Sequence, residues 1–197
     1  MPQNTSEVVA GRDVLAYTEP YLAANTFPTV SAWGTPPGGT WVDQGVTKDG
    51  LHVQWRMQYQ EYTVDQFLDP VARLPTNRDL RMRCNLAQVN AASMAVATGQ
   101  GTTSAVAAAS GTRGHNDFDL KSVIAQNYYS ALFDARSPVS GEAARTMGYK
   151  GRSVGDIQLD FHIQDVAQIN LELALIPDTS ASPARIALIQ VITPALP

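Results

Sequence analysis

The sequence has one cysteine, few charged residues and no long apolar run. Cys84 is alone among 197 residues, which excludes an intrachain disulfide and a thiolate metal cluster, and we expect a buried, unreactive thiol. Charged residues make up 16% of the chain, against about 25% in typical domains, which favours a surface that contacts other protein. No stretch of 18 apolar residues occurs, so no transmembrane helix is expected. The polar start, residues 1–6, lacks the basic and apolar parts of a signal peptide and predicts synthesis and assembly in a cytoplasm.

Patterns that carry chemistry are also missing. The three histidines, His52, His115 and His162, have no cysteine or histidine at a ligand-like spacing, so zinc is not expected. The glycine-containing loops lack a phosphate-binding lysine, and no serine stands in a nucleophile elbow. A net charge of −4 disfavours a dedicated nucleic-acid binder. We therefore expect no enzyme, no metal site and no cofactor.

The most informative segment is Leu51–Gln66, which predicts one unusually long β-strand. Apolar residues occupy the odd positions of 51–59 and polar residues the even positions of 52–60, a period of two. At Gln60–Glu61 the apolar pattern changes parity, which predicts a β-bulge. The segment would reach roughly 50 Å, whereas typical strands have about 3–10 residues. Such a strand indicates a sheet that continues outside this chain.

The remaining pattern predicts a mainly β fold, a two-sheet β-sandwich or partial barrel with one flanking α-helix and long loops. The helix is expected over Ala87–Thr98, before Gly99. Ser137–Gly155 is expected to be a loop with a basic bias. Further strands are predicted at Val14–Tyr21, Leu80–Leu86, Tyr128–Asp134, Ile157–Gln164, Ile169–Leu175 and Ile186–Ile192.

No linker divides the chain, so residues 1–197 are expected to form a single domain. Residues 1–12 are predicted to be an N-terminal arm. Residues 25–50 are predicted to be a long loop that ends in a turn at Lys48-Asp49-Gly50. Residues 99–124, rich in Gly, Ala, Thr and Ser, are predicted to be a loop insertion. Loops of this length are uncommon in a domain that works alone.

Several segments resemble the major tail tube proteins of long-tailed bacteriophages, in which a Trp, acidic, Gly, hydroxyl and acidic-Gly segment precedes a long alternating strand. The resemblance covers about residues 40–98 and 125–192 and rests on the following segments: Thr40–Val53, Gln60–Gln66, Pro70–Val71, Asp79–Gln88, Gly155–Phe161 and Ala174–Asp178.

The resemblance implies a structural virion protein. Its subunits would form hexameric rings that stack into a tail tube, each giving strands to a shared inner β-barrel through which DNA passes. It further implies assembly in the host bacterial cytoplasm, partners such as the tape measure, tail terminator and distal tail proteins, and no membrane anchoring. DNA would pass transiently and without sequence specificity.

The resemblance also implies roles for two sets of residues. The loop Thr35–Gly50 and its neighbourhood would bind the adjoining ring, through Trp33, Pro36, Pro37, Trp41, Lys48 and Asp49. The long strand would line or wall the lumen, through His52, Gln54, Arg56, Gln58, Glu61 and Asp65. Mixed charge on such a lumen would let DNA slide without sticking, although an ordinary solvated sheet face would carry the same charges.

Two other classes of protein stay open. One is a related virion or secretion component, such as a tail terminator, a capsid decoration protein or a secretion tube ring, which would form a ring that never stacks. The other is a β-sandwich module that binds carbohydrate or another ligand as a stable monomer. Exposed aromatic side chains would serve such a module, with Trp33, Trp41 and Tyr149 as candidates.

Overall fold

The computed structural model describes residues 13–23, 27, 37–63, 69–100, 102–120, 127–136, 143–157 and 168–192. Within these ranges the protein is mainly β with one helix, as the sequence predicts. The elements are β1 Asp13–Pro20, β2 Val42–Tyr62, β3 Ala72–Leu86, α1 Ala91–Thr98, β4 Thr102–Val106, β5 His115–Asp119, β6 Tyr129–Arg136, β7 Ala143–Ser153, β8 Ile169–Leu175 and β9 Ala187–Ile192.

Seven strands form one large antiparallel sheet in the order β6-β1-β2-β3-β8-β7-β9, and β4 and β5 form a small second sheet. The large sheet curls until β7 also pairs with β6. It is not a closed barrel, because β7 pairs with β8 only over Gly151–Ser153, and β9 is its neighbour over Ala143–Gly148. A partial barrel with a flanking helix results.

The main core lies on one face of this sheet, where alternate residues of β3 and β8 point inward. Leu86, Leu171 and Leu173 are fully buried there, and Val96 and Ala97 of α1 pack onto them. A smaller cluster around Tyr17 and Leu132 occupies the opposite face of β1 and β6. Each fully buried aliphatic side chain contributes about 1.5–3 kcal/mol. These two clusters hold the body of the domain together.

The helix begins later than predicted, at Ala91 rather than Ala87. The Ser93 backbone N–H donates to Asn90 Oδ1 at 2.7 Å, and the Asn90 N–H donates to Ser93 Oγ at 3.0 Å, so the two residues form a capping box. The expected stop is correct, because Gly99 ends the helix with φ 66°. Asn90 therefore fixes the start, and 87–90 lie outside the helix.

The long loop predicted over 25–50 is wrong in its second half. Val42–Gly50 belongs to β2. Lys48-Asp49-Gly50 is a bulge rather than a turn, since Thr47 pairs with Leu86 and Leu51 already pairs with Cys84, which leaves extra residues on β2. Gly50 has a φ of 76°, a value that glycine adopts without strain, so a turn-like residue serves inside a strand.

Two further predicted loops contain strands. The insertion at 99–124 holds the β4–β5 hairpin, in which Thr102–Val106 pairs with His115–Asp119. The segment 137–155 contains β7, whose polar residues hid the strand pattern. Leu74–Asn77, in spite of its Pro and Asn, is also part of a strand, β3.

Most of the other predicted strands agree with the structure. Four are confirmed within two residues at each end, as β1, β6, β8 and β9. Residues 158–164 of the predicted Ile157–Gln164 strand lie outside the described residues, as does the N-terminal arm 1–12.

Arg145, expected in a basic loop, is fully buried in β7 beside Asp134 of β6. Its Nε donates to Asp134 Oδ1 at 2.6 Å and its Nη2 to Oδ2 at 2.7 Å. This bidentate geometry compensates part of the cost of removing both charges from water. The pair lies at directly opposite positions and links the two strands.

Replacing Asp134 by Asn should destabilise the domain by about 3–5 kcal/mol, because it leaves the buried Arg145 charge without its carboxylate. Urea unfolding followed by circular dichroism measures this change. Asp117→Asn removes a carboxylate from an exposed pair with His115 and should cost less than about 1 kcal/mol. Equal effects of the two substitutions would contradict this account of the pair.

Cys84 is buried as predicted, and desolvation raises the pKa of its thiol to about 12. Because the thiolate is the reactive form, native protein should react with a disulfide reagent such as DTNB very slowly at about pH 8. Protein unfolded in urea should release one equivalent of the coloured product at once. Rapid stoichiometric release from native protein would show that Cys84 is accessible.

Candidate functional site

The most unusual part of the molecule is a two-stranded extension of the large sheet. β3 pairs with β8 only from Leu80 to Leu86, and β1 pairs with β2 only over Val42–Val46. Among the described residues, Trp55–Tyr62 of β2 has no strand neighbour other than β3, and Ala72–Asp79 of β3 has none other than β2. We call these two segments the arm. At about 3.3 Å per residue the arm extends roughly 25 Å beyond the strands that flank it.

Both outer edges of the arm are open. Within the described residues, neither the β2 edge facing away from β3 nor the β3 edge facing away from β2 has a neighbouring strand there. Alternate residues of each strand direct N–H and C=O groups toward such an edge. An open edge is a template for another strand, so the arm offers two.

The core face of the sheet continues onto the arm as an apolar face. Val53 and Trp55 stand opposite Met82 and Leu80, which are buried in the body. Farther out, the exposed fraction rises to 51% for Trp55 and 53% for Tyr59, which lies on the same face. The apolar stripe thus runs past the core that buries its first part. Exposed contiguous apolar surface of this kind marks an interaction site.

The other side of β2 and β3 is a polar face. Four of the residues predicted to line a lumen lie on this polar face, as the alternation of polar and apolar residues in the sequence indicates: His52, Gln54, Arg56 and Gln58. It continues across β8 and onto β7, where Arg152 lies in the same row as Arg81. The charged residues of this face are Arg56, Arg81, Arg83, Arg152, Asp79 and Glu172.

The bulge predicted in β2 at Gln60–Glu61 is wrong in place and strand. Gln58 pairs with Asn77 and Tyr59 pairs with Pro75, so the extra residue is Thr76 of β3. Pro75 beside it lacks an N–H and already disturbs the ladder, which makes β3 the easier strand to bulge.

Glu61 therefore lies on the apolar face, where its Oε1 is 2.9 Å from Nε of Arg73. It does not join the polar face as predicted. Tyr62 instead extends the polar side, and Asp65 lies outside the described residues. The two faces of the arm thus exchange character at its tip.

Glu172 of β8 organises the charges of the polar face. Its side chain is 8% exposed, and it accepts from Arg81 Nη1 at 2.9 Å and from Arg83 Nη2 at 2.8 Å. Arg81 Nε also donates to Asp79 at 2.8 Å. Burial opposes ionisation of Glu172, but the hydrogen bonds from both arginines outweigh it and lower its pKa. Glu172 is therefore a carboxylate shared by two guanidinium groups.

A shallow depression of roughly 610 Å³ lies on the polar face next to this network. Asp49 borders it and accepts from Asn85 Nδ2 at 2.8 Å. The other polar residues that line it are His52, Gln54, Arg81 and Arg83. Among the described residues that line it there is no Trp, Tyr or Phe, the side chains on which sugar rings stack.

The residues predicted to bind an adjoining ring are dispersed. Trp33 and Pro36 lie outside the described residues. Pro37 is buried, and half-buried Trp41 packs edge-on against Phe27, with ring centroids 5.6 Å apart. Lys48 and Asp49 are exposed residues of the β2 bulge. The structure thus places them in a strand, apart from the loop in which they were expected.

Two of the three aromatic residues proposed for a ligand-binding module are packed within the domain. Trp41 contacts Phe27, and buried Tyr149 contacts the same ring with centroids 4.7 Å apart. The exposed aromatic residues of the arm were missed as a set. The alternation of Trp55 and Tyr59 with polar neighbours was visible in the sequence, but it does not tell where the core ends.

The described residues contain no group of three or more His, Cys, Asp or Glu side chains placed to hold a metal ion. Among them, no helix is long and apolar enough to cross a membrane. No family model matches the sequence, and no curated protein matches it significantly.

The Glu172 network predicts a pH dependence of stability. Because the folded pKa of Glu172 lies below its unfolded value, the carboxylate stabilises the fold above the unfolded pKa, and this contribution is lost as pH falls through the folded pKa. Urea unfolding from about pH 3 to 7 should therefore show a flatter acid limb for Glu172→Gln than for wild type.

The double variant Arg81→Gln/Arg83→Gln is the companion measurement. Without the two donors, burial alone acts on Glu172 and raises its pKa above the unfolded value. The ionised carboxylate then destabilises the fold, so the contribution of Glu172 to stability should fall as pH rises. Identical pH profiles for wild type and Glu172→Gln would refute the network as described.

Proposed function

We propose that this chain is a self-assembling structural subunit whose arms join into a β-barrel wall shared among several copies. The observation that carries this proposal is the arm, with two open edges and an uncovered apolar face. An assembly of arms would supply both missing partners, since each edge would gain a strand and each aromatic side chain a contact.

The two open edges favour a ring. They belong to different strands, so β2 of one copy would meet β3 of the next in a heterologous contact. Rotation about one axis keeps all arms pointing the same way, and β2 runs antiparallel to β3. Neighbouring arms would therefore pair antiparallel, as the strands do within each arm. Such contacts close when the rotation per copy divides a full turn.

Burial of the apolar face adds a driving force. Large aromatic side chains bury about 150–250 Å² when fully enclosed. Trp55 and Tyr59 keep about half of their surface exposed, so covering either contributes on the order of 2–3 kcal/mol at about 25 cal/mol per Å². Two such residues per subunit, repeated round a ring, support a stable assembly.

The resemblance of residues 40–98 and 125–192 to major tail tube proteins supports a specific version of this function. In that version hexameric rings stack into the tail tube of a phage, the conduit for DNA, after assembly in the bacterial cytoplasm. The partners are further copies of the chain, with tape measure, terminator and distal tail proteins at the tube ends. The polar face borders the channel, and the apolar face packs against neighbouring subunits.

A ring component that does not stack, such as a tail terminator, is the second candidate. The placement of the predicted ring-binding residues favours it. Trp41 packs against Phe27 of its own domain, and Lys48 and Asp49 stand in β2 rather than in a free loop. The two candidates share the arm and differ in whether rings join end to end.

Negative-stain microscopy and sedimentation across salt and protein concentration test assembly directly. Wild type should form rings or tubes, and Trp55→Ser/Tyr59→Ser should remain a folded monomer, because it removes the apolar contacts of the arm. Leu22→Ser is the matched control; Leu22 is 61% exposed and lies outside the arm. It should assemble like wild type.

Each outcome is informative. Wild type that stays monomeric under all conditions would contradict the proposal, as would normal assembly of Trp55→Ser/Tyr59→Ser. Isolated rings without tubes would select the second candidate.

A further inference from the structure

The polar face contains two arginines held side by side on β3. Arg81 and Arg83 are two residues apart and therefore project from the same face. Their side chains are 39% and 55% exposed, although Glu172 binds both. Arg152 lies in the same row as Arg81, two strands away, and Arg56 stands opposite Asp79. Among the described residues, four arginines thus share this face of an acidic protein with the carboxylates of Asp79 and Glu172, and Asp49 borders its depression.

Adjacent guanidinium groups on an open, hydrated surface are well suited to bind phosphate. Each presents a planar fork of N–H donors that matches phosphate oxygens. The neighbouring depression is lined by further donors from His52, Gln54 and Asn85. The geometry around Glu172 opposes such binding, because its two oxygens already occupy donors of Arg81 and Arg83.

We propose that Glu172 masks Arg81 and Arg83 and so keeps the polar face from retaining the phosphate backbone of double-stranded nucleic acid. The carboxylate is nearly buried and both arginines reach it, so phosphate would have to displace a preformed contact. Asp79 occupies the remaining side of Arg81 at 2.8 Å and completes the mask. The face then meets a polyanion weakly, although it carries more arginines than carboxylates.

This inference deepens the proposed function, since it concerns the face assigned there to a DNA channel, but its test needs no assembly. Binding of a fluorescein-labelled DNA duplex of about 20 base pairs is measured by anisotropy at protein concentrations where sedimentation shows monomers. Each arginine freed to contact phosphate adds about 0.9 to the slope of log affinity against log salt. Glu172→Gln should bind about tenfold more tightly than wild type at about 50 mM salt, with a slope steeper by about one.

Three variants separate masking from net charge and from folding. Asp117→Asn changes the net charge equally but lies in β5 of the small sheet, where its partner is His115 rather than an arginine, and should bind like wild type. Asp79→Asn removes the carboxylate that holds one side of Arg81, and Asp79 itself lies outside the pairing of β3 with β8. This substitution should give a smaller gain in DNA affinity. Combining Glu172→Gln with Arg81→Gln and Arg83→Gln should abolish the gain.

The proposal is overturned if Glu172→Gln binds DNA no better than wild type while circular dichroism shows it folded, or if Asp117→Asn gains as much. If Glu172→Gln does not fold, Asp79→Asn decides, and an unchanged affinity then refutes the mask. Failure of wild type to assemble counts against the proposed function alone, because this comparison is made on monomers.

Discussion

The structure depends on one constraint: a strand edge without a neighbour leaves backbone N–H and C=O groups unpaired, and β2 and β3 are longer than the strands that flank them. β8 ends at Leu175, opposite Leu80, and β1 leaves β2 after Val46. Beyond those points, among the described residues, the backbone N–H and C=O groups of each long strand pair with the other long strand on one side only. The open edges, the exposed apolar face and the separation of the arm from the body all follow from this difference in length.

The two faces of the long strand pair meet different demands. On the apolar face, side chains pack in the core as far as Leu80, and those from Trp55 outward are exposed, so one alternating pattern spans a buried and an exposed environment. On the polar face, Glu172 lets arginines stand close together without leaving their charges uncompensated. Body and arm are therefore one continuous sheet with a change of environment along it.

Much of the fold could be predicted from period-two alternation, which correctly indicated a long strand from Leu51 and a strand over Leu80–Leu86. The same alternation predicted the apolar and polar faces of the arm. The bulges could not be predicted, because Lys48-Asp49-Gly50 has the composition of a turn and a change of parity at Gln60 does not reveal which strand holds the extra residue. The strand β7 was not predicted, because it buries a charged residue, Arg145, whose partner Asp134 is not adjacent in the sequence. The exposure of Trp55 depends on where β8 ends, which is a property of the fold rather than of the local pattern.

β2 runs without a break from its pairing with β1 at Val42 to the tip of the arm at Tyr62. Its hydrogen bonds to β3 stand nearly perpendicular to the strand direction. A pull along the arm is therefore carried by the covalent backbones of both strands, whereas a pull that separates the two strands sideways would open these bonds one after another. The arm, which has no further strand beside it among the described residues, thus resists extension along its length more than separation of its two strands.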